Sequence, residues 1–232
     1  GYEVKVNGPT VTVKSGGELT AANIDVPADI SSAAFFMVAA SIAPNSDITL
    51  EHVGLNPTRV GVINILKLMG ANIQILNERE VGGEPVADIR VQSAQLKGIQ
   101  IPEDQVPLAI DEFPSIFIAA ACAEGETVLT GAEELRVKES DRIQAMVDGL
   151  NILGVEAKGT PDGAIIPGFG AEGGFGGGEI ETHHDHRIAM SFSVASLRAS
   201  NEIKVLDCAN VATSFPGFVE LAQQCGINVS LG

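Results

Sequence analysis

The chain repeats itself three times, and that repeat leaves few folds open to it. Each copy begins with an aspartate leading an apolar run: Asp29-Ile-Ser-Ser-Ala-Ala-Phe, Asp111-Glu-Phe-Pro-Ser-Ile-Phe and Asp185-His-Arg-Ile-Ala-Met-Ser. A strand-like segment follows in each, Asp47-Ile-Thr-Leu, Thr127-Val-Leu-Thr and Ile203-Lys-Val-Leu. Asn56-Pro-Thr-Arg59, Glu139-Ser-Asp-Arg142 and Thr213-Ser-Phe-Pro216 then lead into a helical pattern that stops at Gly70, Gly154 and Gly226. From leading aspartate to closing glycine the separation is 41, 43 and 41 residues, and the copies start 82 and 74 residues apart. These periods exceed those of solenoid repeats, so the copies are expected to close on one another in a domain with pseudo-threefold symmetry.

Each copy reads as strand, helix, strand, loop, helix and further strands. The first helix of each is almost wholly apolar, as in Ala33-Ala-Phe-Phe-Met-Val-Ala-Ala40 and Ile116-Phe-Ile-Ala-Ala-Ala-Cys122. A helix with no polar face has to be buried on all sides. The second helix is amphipathic and should flank it, and the glycine that ends it suits a left-handed C-cap. The expectation is an inside-out α/β domain: three buried helices surrounded by sheets, built from three βαβαββ units at about 28–95, 96–168 and 169–232. Residues 1–27 fall outside the repeat. Glu3–Val6 and Val11–Val13 flank Asn7-Gly8, a hairpin signal, and a lone hairpin is marginal, so it should pack on something else. Gly173-Gly-Phe-Gly-Gly-Gly178 reads as a flexible loop, with no Lys-Ser/Thr continuation of a phosphate-binding loop.

Among 232 residues only 14 are Lys or Arg, and the net charge is −16. Affinity for a phosphate backbone needs a spread of basic groups, which argues against nucleic acid and anionic membrane surfaces as partners. No apolar run is long enough to cross a bilayer and no signal-peptide pattern opens the sequence, so the expected location is the cytoplasm. Cys122, Cys208 and Cys225 stand in apolar surroundings without metal-ligand spacing and read as reduced structural thiols.

In so acidic a chain, clustered bases carry information. The densest cluster is Leu135-Arg-Val-Lys-Glu-Ser-Asp-Arg-Ile143. Ser140 reads as an N-cap, because Ile143, Met146, Val147 and Leu150 then share one apolar face. Lys138, Glu139 and Arg142 would gather at the positive end of that helix, a place suited to an anion. The plain alternative is a solvated helix start, and the recurrence of the arrangement in the other copies weighs against it. His183-His-Asp-His186 invites a zinc reading, but helical His spacing and accompanying cysteines are absent, so no metal is expected.

Six motifs together, Asp29-Ile-Ser-Ser-Ala, Leu55-Asn-Pro-Thr-Arg59, Ile110-Asp-Glu-Phe-Pro114, Leu135–Arg142, Asp185-His-Arg-Ile-Ala-Met190 and Thr213-Ser-Phe-Pro216, resemble in order and spacing those of the enolpyruvyl transferase family, in its shikimate branch. The resemblance covers residues 28–232 and implies the second lobe of a two-lobed enzyme, with residues 1–27 as hairpin and linker of a first lobe. It further implies transfer of the enolpyruvyl group of phosphoenolpyruvate to the 5-hydroxyl of shikimate 3-phosphate, with phosphate release and no cofactor. Asp111 matches the residue that contacts the acceptor hydroxyls and deprotonates the attacking one. Glu139 matches the proton donor to the methylene carbon, competent mainly once phosphoenolpyruvate sets its negative charge against Lys138 and Arg142. Arg142 and Arg187 match the guanidinium groups that grip phosphoenolpyruvate, bidentate binding being what arginine does well. Lys138 would contact shikimate 3-phosphate or orient Glu139, and His186 would hydrogen-bond as a neutral imidazole beside phosphoenolpyruvate. Asp29 and Asp185, placed like Asp111, read as plain helix caps; Arg59, placed like Arg142, reads equally as a supporting cation or an ordinary helix-start residue.

The pattern departs from the family at Ser214, where many members carry an anion-binding lysine, and at Glu134, where some carry asparagine. The cations and hydroxyls of the family's first lobe are not among these residues, so the chain alone is expected to bind anions weakly and not to turn over. Three rival readings stand beside this one: an enzyme acting on a UDP-amino sugar such as UDP-N-acetylglucosamine, an RNA-modifying relative with similar repeats, and a noncatalytic anion-binding module.

Overall fold

The structure, a computed structural model, describes residues 2–231. Two short strands open it, β1 (Val4–Asn7) and β2 (Thr10–Val13), paired antiparallel with Asn7 opposite Thr10. The two-residue loop is therefore Gly8-Pro9, one residue later than the Asn7-Gly8 turn expected. Pro9 has no N–H to give the ladder and so falls in the turn, while Gly8 takes φ +55° at the first central position. Every residue of both strands is exposed, so the hairpin packs on no other described part of the chain.

The first copy of the repeat holds α1 (Ile30–Ile42), β3 (Asp47–Gly54), α2 (Gly61–Leu68), β4 (Asn72–Val81) and β5 (Glu84–Gln92). The second holds α3 (Phe113–Cys122), β6 (Glu124–Leu129), α4 (Arg142–Ile152), β7 (Lys158–Thr160) and β8 (Gly163–Phe169). The third holds β9 (Gly178–Ile180), α5 (His186–Ala195), β10 (Ile203–Val205), α6 (Val211–Ser214) and α7 (Phe218–Gln224). The expected strand before each first helix is a full strand only in the third copy, where β9 runs parallel to β10. In the others it shrinks to isolated parallel bridges, Ala28 with Val53, and Lys97 and Gln100 with Glu124 and Val128. The sheets continue as β3-β5-β4 and β6-β8-β7, antiparallel throughout. No strand follows α7 among the described residues.

The three apolar helices α1, α3 and α5 pack on one another at the centre, and the sheets lie outside them. All ten residues of α3 are buried, and all of α1 except Ser32. The sheets present alternate residues inward, Ile89 and Val91 from β5 and Ala164 and Ile166 from β8, as the two-residue period of a strand requires. This is the inside-out arrangement that the apolar helices demanded.

Each second helix leans on the next copy, and this closes the ring. Gly61 at the start of α2 donates its N–H to Leu108 O at 3.1 Å, just before α3. Gly149 of α4 lies against the Phe192 ring of α5 so closely that a Cβ there would stand 2.2 Å from Cζ. Phe218 of α7 meets Phe35 and Phe36 of α1 at ring-centroid distances of 6.2 and 6.0 Å, the first edge-on, which returns the third copy to the first. The second helices also end identically. Gly70, Gly154 and Gly226 adopt φ of +92°, +89° and +86°. The residue after each glycine donates back to the carbonyl five positions earlier, Ala71 to Leu66, Val155 to Leu150 and Ile227 to Ala222, all at 2.9 Å. These are three Schellman closures at equivalent positions.

Two further expectations need correction. The glycine-rich segment 173–178 is a packed crossing: Phe175 is buried, bridges Ala199, and meets Phe169 edge-on at 4.9 Å. Its glycines are needed for close approach, since a Cβ at Gly174 would meet Arg198 O at 2.6 Å. The thiols are free but not uniformly interior: Cys122 is buried and its thiol is pushed up to about 12 by desolvation, whereas Cys225 is exposed because it caps the exposed end of α7.

The α4–α5 approach supplies a test. Alanine for glycine inside a helix normally gains up to about 1 kcal/mol, but an overpacked core contact costs about 1–3 kcal/mol. Gly149→Ala is therefore expected to destabilise the fold through Phe192. A fall in the urea midpoint checks this; a rise would mean that the two helices part without cost.

Candidate active site

The first turns of the three central helices are tied together by side chains. Asp29 caps α1, accepting from Ser32 N at 2.9 Å, and Asp185 caps α5, accepting from Arg187 N at 2.9 Å. Between them α3 begins after Asp111 and Glu112, with Pro114 in its first turn, where a missing N–H costs no helical bond. A fourth helix joins from the side. α4 is capped by Asp141, whose carboxylate accepts from Gln144 N at 2.9 Å; Ser140, the expected cap, instead donates to Asp185 Oδ2 at 3.1 Å. The aspartate takes the cap because the helix starts one residue later, at Arg142, with the expected face of Ile143, Met146, Val147 and Leu150 buried. Lys138 and Glu139 precede the helix, after a 3₁₀ turn at Glu133–Val137.

Arg142 is the hub. It is 1% exposed, yet its guanidinium is fully engaged: Nε to Asp185 Oδ2 at 2.9 Å, Nη1 to Asp111 Oδ1 at 3.1 Å and Nη2 to Glu139 Oε2 at 2.5 Å. Asp185 is fully buried and so does more than cap α5, as the sequence had implied for it; it is a counterion without which Arg142 could not be interior. Asp111 receives two further cations, Lys138 Nζ at 3.5 Å and Arg187 Nη2 at 3.9 Å. Burial acts to raise the Asp111 carboxyl, but Arg187, Lys138 and Arg142 together outweigh it and hold the group below its ordinary value. Lys138 also bonds Glu134, which with Asp111 keeps its ammonium charged. It pairs with Asp111 and Glu134 rather than with Glu139.

Arg187 Nη1 donates to the Asp111 carbonyl at 3.1 Å and lies 3.8 Å from Glu112 Oε1. Glu112 is buried and accepts from Ser31 Oγ, which in turn accepts from Arg59 Nη2 at 2.6 Å. Arg59 also pairs with Asp29 at 3.3 Å. Desolvation pushes the imidazole of His186 below its ordinary value and Arg187 adds to this, favouring the neutral ring, although Asp185 and Glu139 oppose the shift.

A family model for EPSP synthase (3-phosphoshikimate 1-carboxyvinyltransferase) matches residues 1–221. The chain belongs to the EPSP synthase family. The 3-phosphoshikimate 1-carboxyvinyltransferases of Methylococcus capsulatus and Alkalilimnicola ehrlichii are each 64% identical to it over its whole length, which corresponds to 52% and 51% of those proteins. The chain thus spans about half the length of the curated relatives it matches. An EPSP synthase structure from Acinetobacter baumannii superposes with a TM-score of 0.95 at 61% identity, covering 98% of this chain and 52% of that one. The enolpyruvyl transferase NikO from Streptomyces tendae shares the fold, with a TM-score of 0.68 at 15% identity.

Within the family frame, the residues singled out by sequence fall together: Asp111, Lys138, Glu139, Arg142 and Arg187 form one ion-pair network, with His186 between Asp185 and Arg187. His183 and His184 stand aside in a turn with φ of +52° and +59°. Among the described residues no three His, Cys, Asp or Glu side chains are grouped as a metal site would need. Ser214 is exposed at the end of α6 and bonds to none of the cluster among the described residues. The sequence reading missed Glu112, Ser31 and the second task of Asp185. A signal for Glu112 was present: an acid between Asp111 and Phe113, at the start of a helix with no polar face, has to go inside.

Removing the hub would leave three carboxylates facing one another. Arg142→Leu is expected to destabilise the fold by about 3–5 kcal/mol, as for other broken buried ion pairs. The loss should shrink as pH falls, because the stranded carboxylates then protonate. Denaturation midpoints across pH check this, and a loss independent of pH would show that packing, not charge, is what Arg142 supplies.

Proposed function

We propose that this chain supplies one face of an enolpyruvyl transfer site and acts with a first lobe, to which residues 1–27 are the connection, in the cytoplasm and without nucleic acid. The reaction proposed is transfer of the enolpyruvyl group of phosphoenolpyruvate to the 5-hydroxyl of shikimate 3-phosphate. The observation that carries it is the meeting of Asp111, Lys138, Glu139, Arg142 and Arg187 at the shared N-terminal end of three buried helices, within a chain of this family. Helix N-termini favour anions and aim N–H groups at them.

In this reading Asp111, held ionised by its three cations, accepts the hydrogen bond of the attacking hydroxyl and fixes its direction. As that oxygen bonds to the enol carbon, its proton passes by way of Asp111 to the phosphate that will leave, and Glu139 gives a proton to the neighbouring methylene carbon. A proton returns to Glu139 as the carbon–oxygen bond to phosphate breaks and the double bond reforms. Arg187 and Arg142 hold the carboxylate and phosphate, Lys138 faces shikimate 3-phosphate, and neutral His186 donates a hydrogen bond. Arg142 is open to an anion only at the edge that Glu139 covers, whose side chain is half exposed. An anion arriving there displaces Glu139 from Nη2 and sets the carboxylate free to carry a proton. Glu139 is thereby coupled to occupancy of the site.

The charge count supports a need for the other lobe. Four cations, Arg59, Lys138, Arg142 and Arg187, pair with six carboxylates, Asp29, Asp111, Glu112, Glu134, Glu139 and Asp185. With no positive surplus of its own, this face binds a polyanion weakly.

Phosphate release from phosphoenolpyruvate and shikimate 3-phosphate is expected only when the chain is joined to a first lobe. There Asp111→Ala and Glu139→Gln should each lower the rate about 10²–10⁴-fold, the range typical of positioned acid–base groups. Glu139→Gln should also change the pH–rate profile. No turnover in a folded two-lobed protein, or turnover with UDP-N-acetylglucosamine as acceptor instead, would overturn the assignment.

A further inference from the structure

Resting on the enolpyruvyl-transfer reading, we propose that Glu112 is a positioning residue for Arg187, and that Ser31 and Arg59 hold it in that task. Glu112 occupies the cap position of α3 but makes no cap bond. Its carboxylate turns inward instead: the residue is 5% exposed, accepts from the hydroxyl of Ser31, itself 2% exposed, and lies 3.8 Å from Arg187 Nη1. Ser31 is free to donate because its oxygen is already an acceptor for Arg59 Nη2 at 2.6 Å. The path Arg59–Ser31–Glu112–Arg187 runs from the first copy of the repeat through the second to the third.

As a stabilising device this arrangement is poor. A carboxylate taken out of water needs a close cation or several hydrogen bonds to recover its solvation. Glu112 has one hydroxyl and a guanidinium beyond hydrogen-bond reach. Burial is the largest influence on its carboxyl and raises it above its ordinary value; Ser31, Arg187 and Arg59 work against the shift, and Asp111 adds to it. A neutral side chain of that size would fill the space at lower cost. What the charge supplies is direction. With Glu112 on one side and the Asp111 carbonyl at 3.1 Å on the other, Nη1 of Arg187 is fixed from two consecutive residues. Nη2 makes no hydrogen bond among the described residues, stands 3.9 Å from Asp111 Oδ2, and is left for the ligand.

The sign with pH follows. Glu112 is charged above its raised value and neutral below it, so Arg187 is held firmly at higher pH and released as pH falls through that value. In the two-lobed enzyme the KM for phosphoenolpyruvate should rise on the acid side. Glu112→Gln keeps the volume and the Ser31 bond but removes the charge. Relative to the parent it should raise that KM about tenfold, the size of a lost charged interaction, with little change in kcat. The parent-to-variant ratio, in which titration of the ligand cancels, should fall toward one at low pH. Ser31→Ala removes a bond that lowers the Glu112 carboxyl, so it should shift the acid rise in KM to higher pH.

A second measurement is independent of turnover. In this chain, the side-chain NMR resonance of the Arg187 guanidinium should shift and broaden in Glu112→Gln. If the parent enzyme shows no turnover, the enolpyruvyl reading fails while this resonance still decides the positioning role. If Glu112→Gln lowers the denaturation midpoint but leaves the Arg187 resonance, and the KM wherever turnover exists, unchanged, Glu112 is a structural acid and the proposal is overturned.

Discussion

A guanidinium that is 1% exposed has to be met by carboxylates, and Arg142 takes them from three directions at once. Asp111 comes from the loop before α3, Asp185 from the cap of α5, and Glu139 from the turn before its own helix. The pairing therefore sets the relative position of three helix starts. Removing a charged group from water costs several kcal/mol even after relaxation, so the hub forms only when all three helices are in place. That makes it a device for arrangement more than for net stability. The apolar packing of α1, α3 and α5 supplies the stability, and Arg142 selects which ends of α3, α4 and α5 lie together.

The two ends of the central helices are treated in opposite ways. At the N-terminal end, where the helix dipoles are positive, six carboxylates and four cations interlock. Toward the other end a single Arg198 gathers carbonyls from Ala171 at 2.8 Å, Gly173 at 2.7 Å and, at 3.4 Å, the last residue of α1, Ile42. Its guanidinium also stands 5.5 Å from the centroid of the Phe169 ring. Arg198 is used up on backbone and ring and has a structural task. The N-terminal cluster keeps two edges open to a competing anion, Glu139 on Arg142 and the unbonded side of Arg187.

Periodicity made most of this fold legible. Helices apolar on every side, as α1 and α3 are, have one solution, which is burial, and the glycine recurring in each copy named three equivalent helix ends that prove to be Schellman closures. Local chemistry was harder to read where two neighbours could do the same job. Asp141 rather than Ser140 caps α4, and Gly8-Pro9 rather than Asn7-Gly8 forms the turn, each a shift of one residue decided by which group the surrounding bonds need. The glycines at 173–178 read as freedom and prove to be close contact, because composition does not say that Phe175 is driven inside. In the site, the residues with distinctive charge patterns were found. Glu112 and Ser31 were not: the apolar helix marks Glu112 for burial, but the partners that give it a task lie 81 and 75 residues away in sequence, in Ser31 and Arg187.

Threefold packing explains why the site sits on one face and why that face is incomplete in charge. Each second helix leans on the next copy, so Arg59 before α2 and Arg142 at the start of α4 are carried to the end of the ring where Arg187 stands in the first turn of α5. Arg59 and Arg142 arrive there from equivalent second-helix starts, and Arg187 from the first turn of a first helix. The same repeat places Asp29, Asp111 and Asp185 there as leading residues. Every cation thus arrives with an acid, and the cluster comes to neutrality or below by construction, in a chain whose net charge is already −16. A face built this way orients groups finely but attracts little. In the proposed reading, the surplus positive charge for a doubly anionic ligand comes from a first lobe facing this one, which would tie capture of the ligand to closure over it.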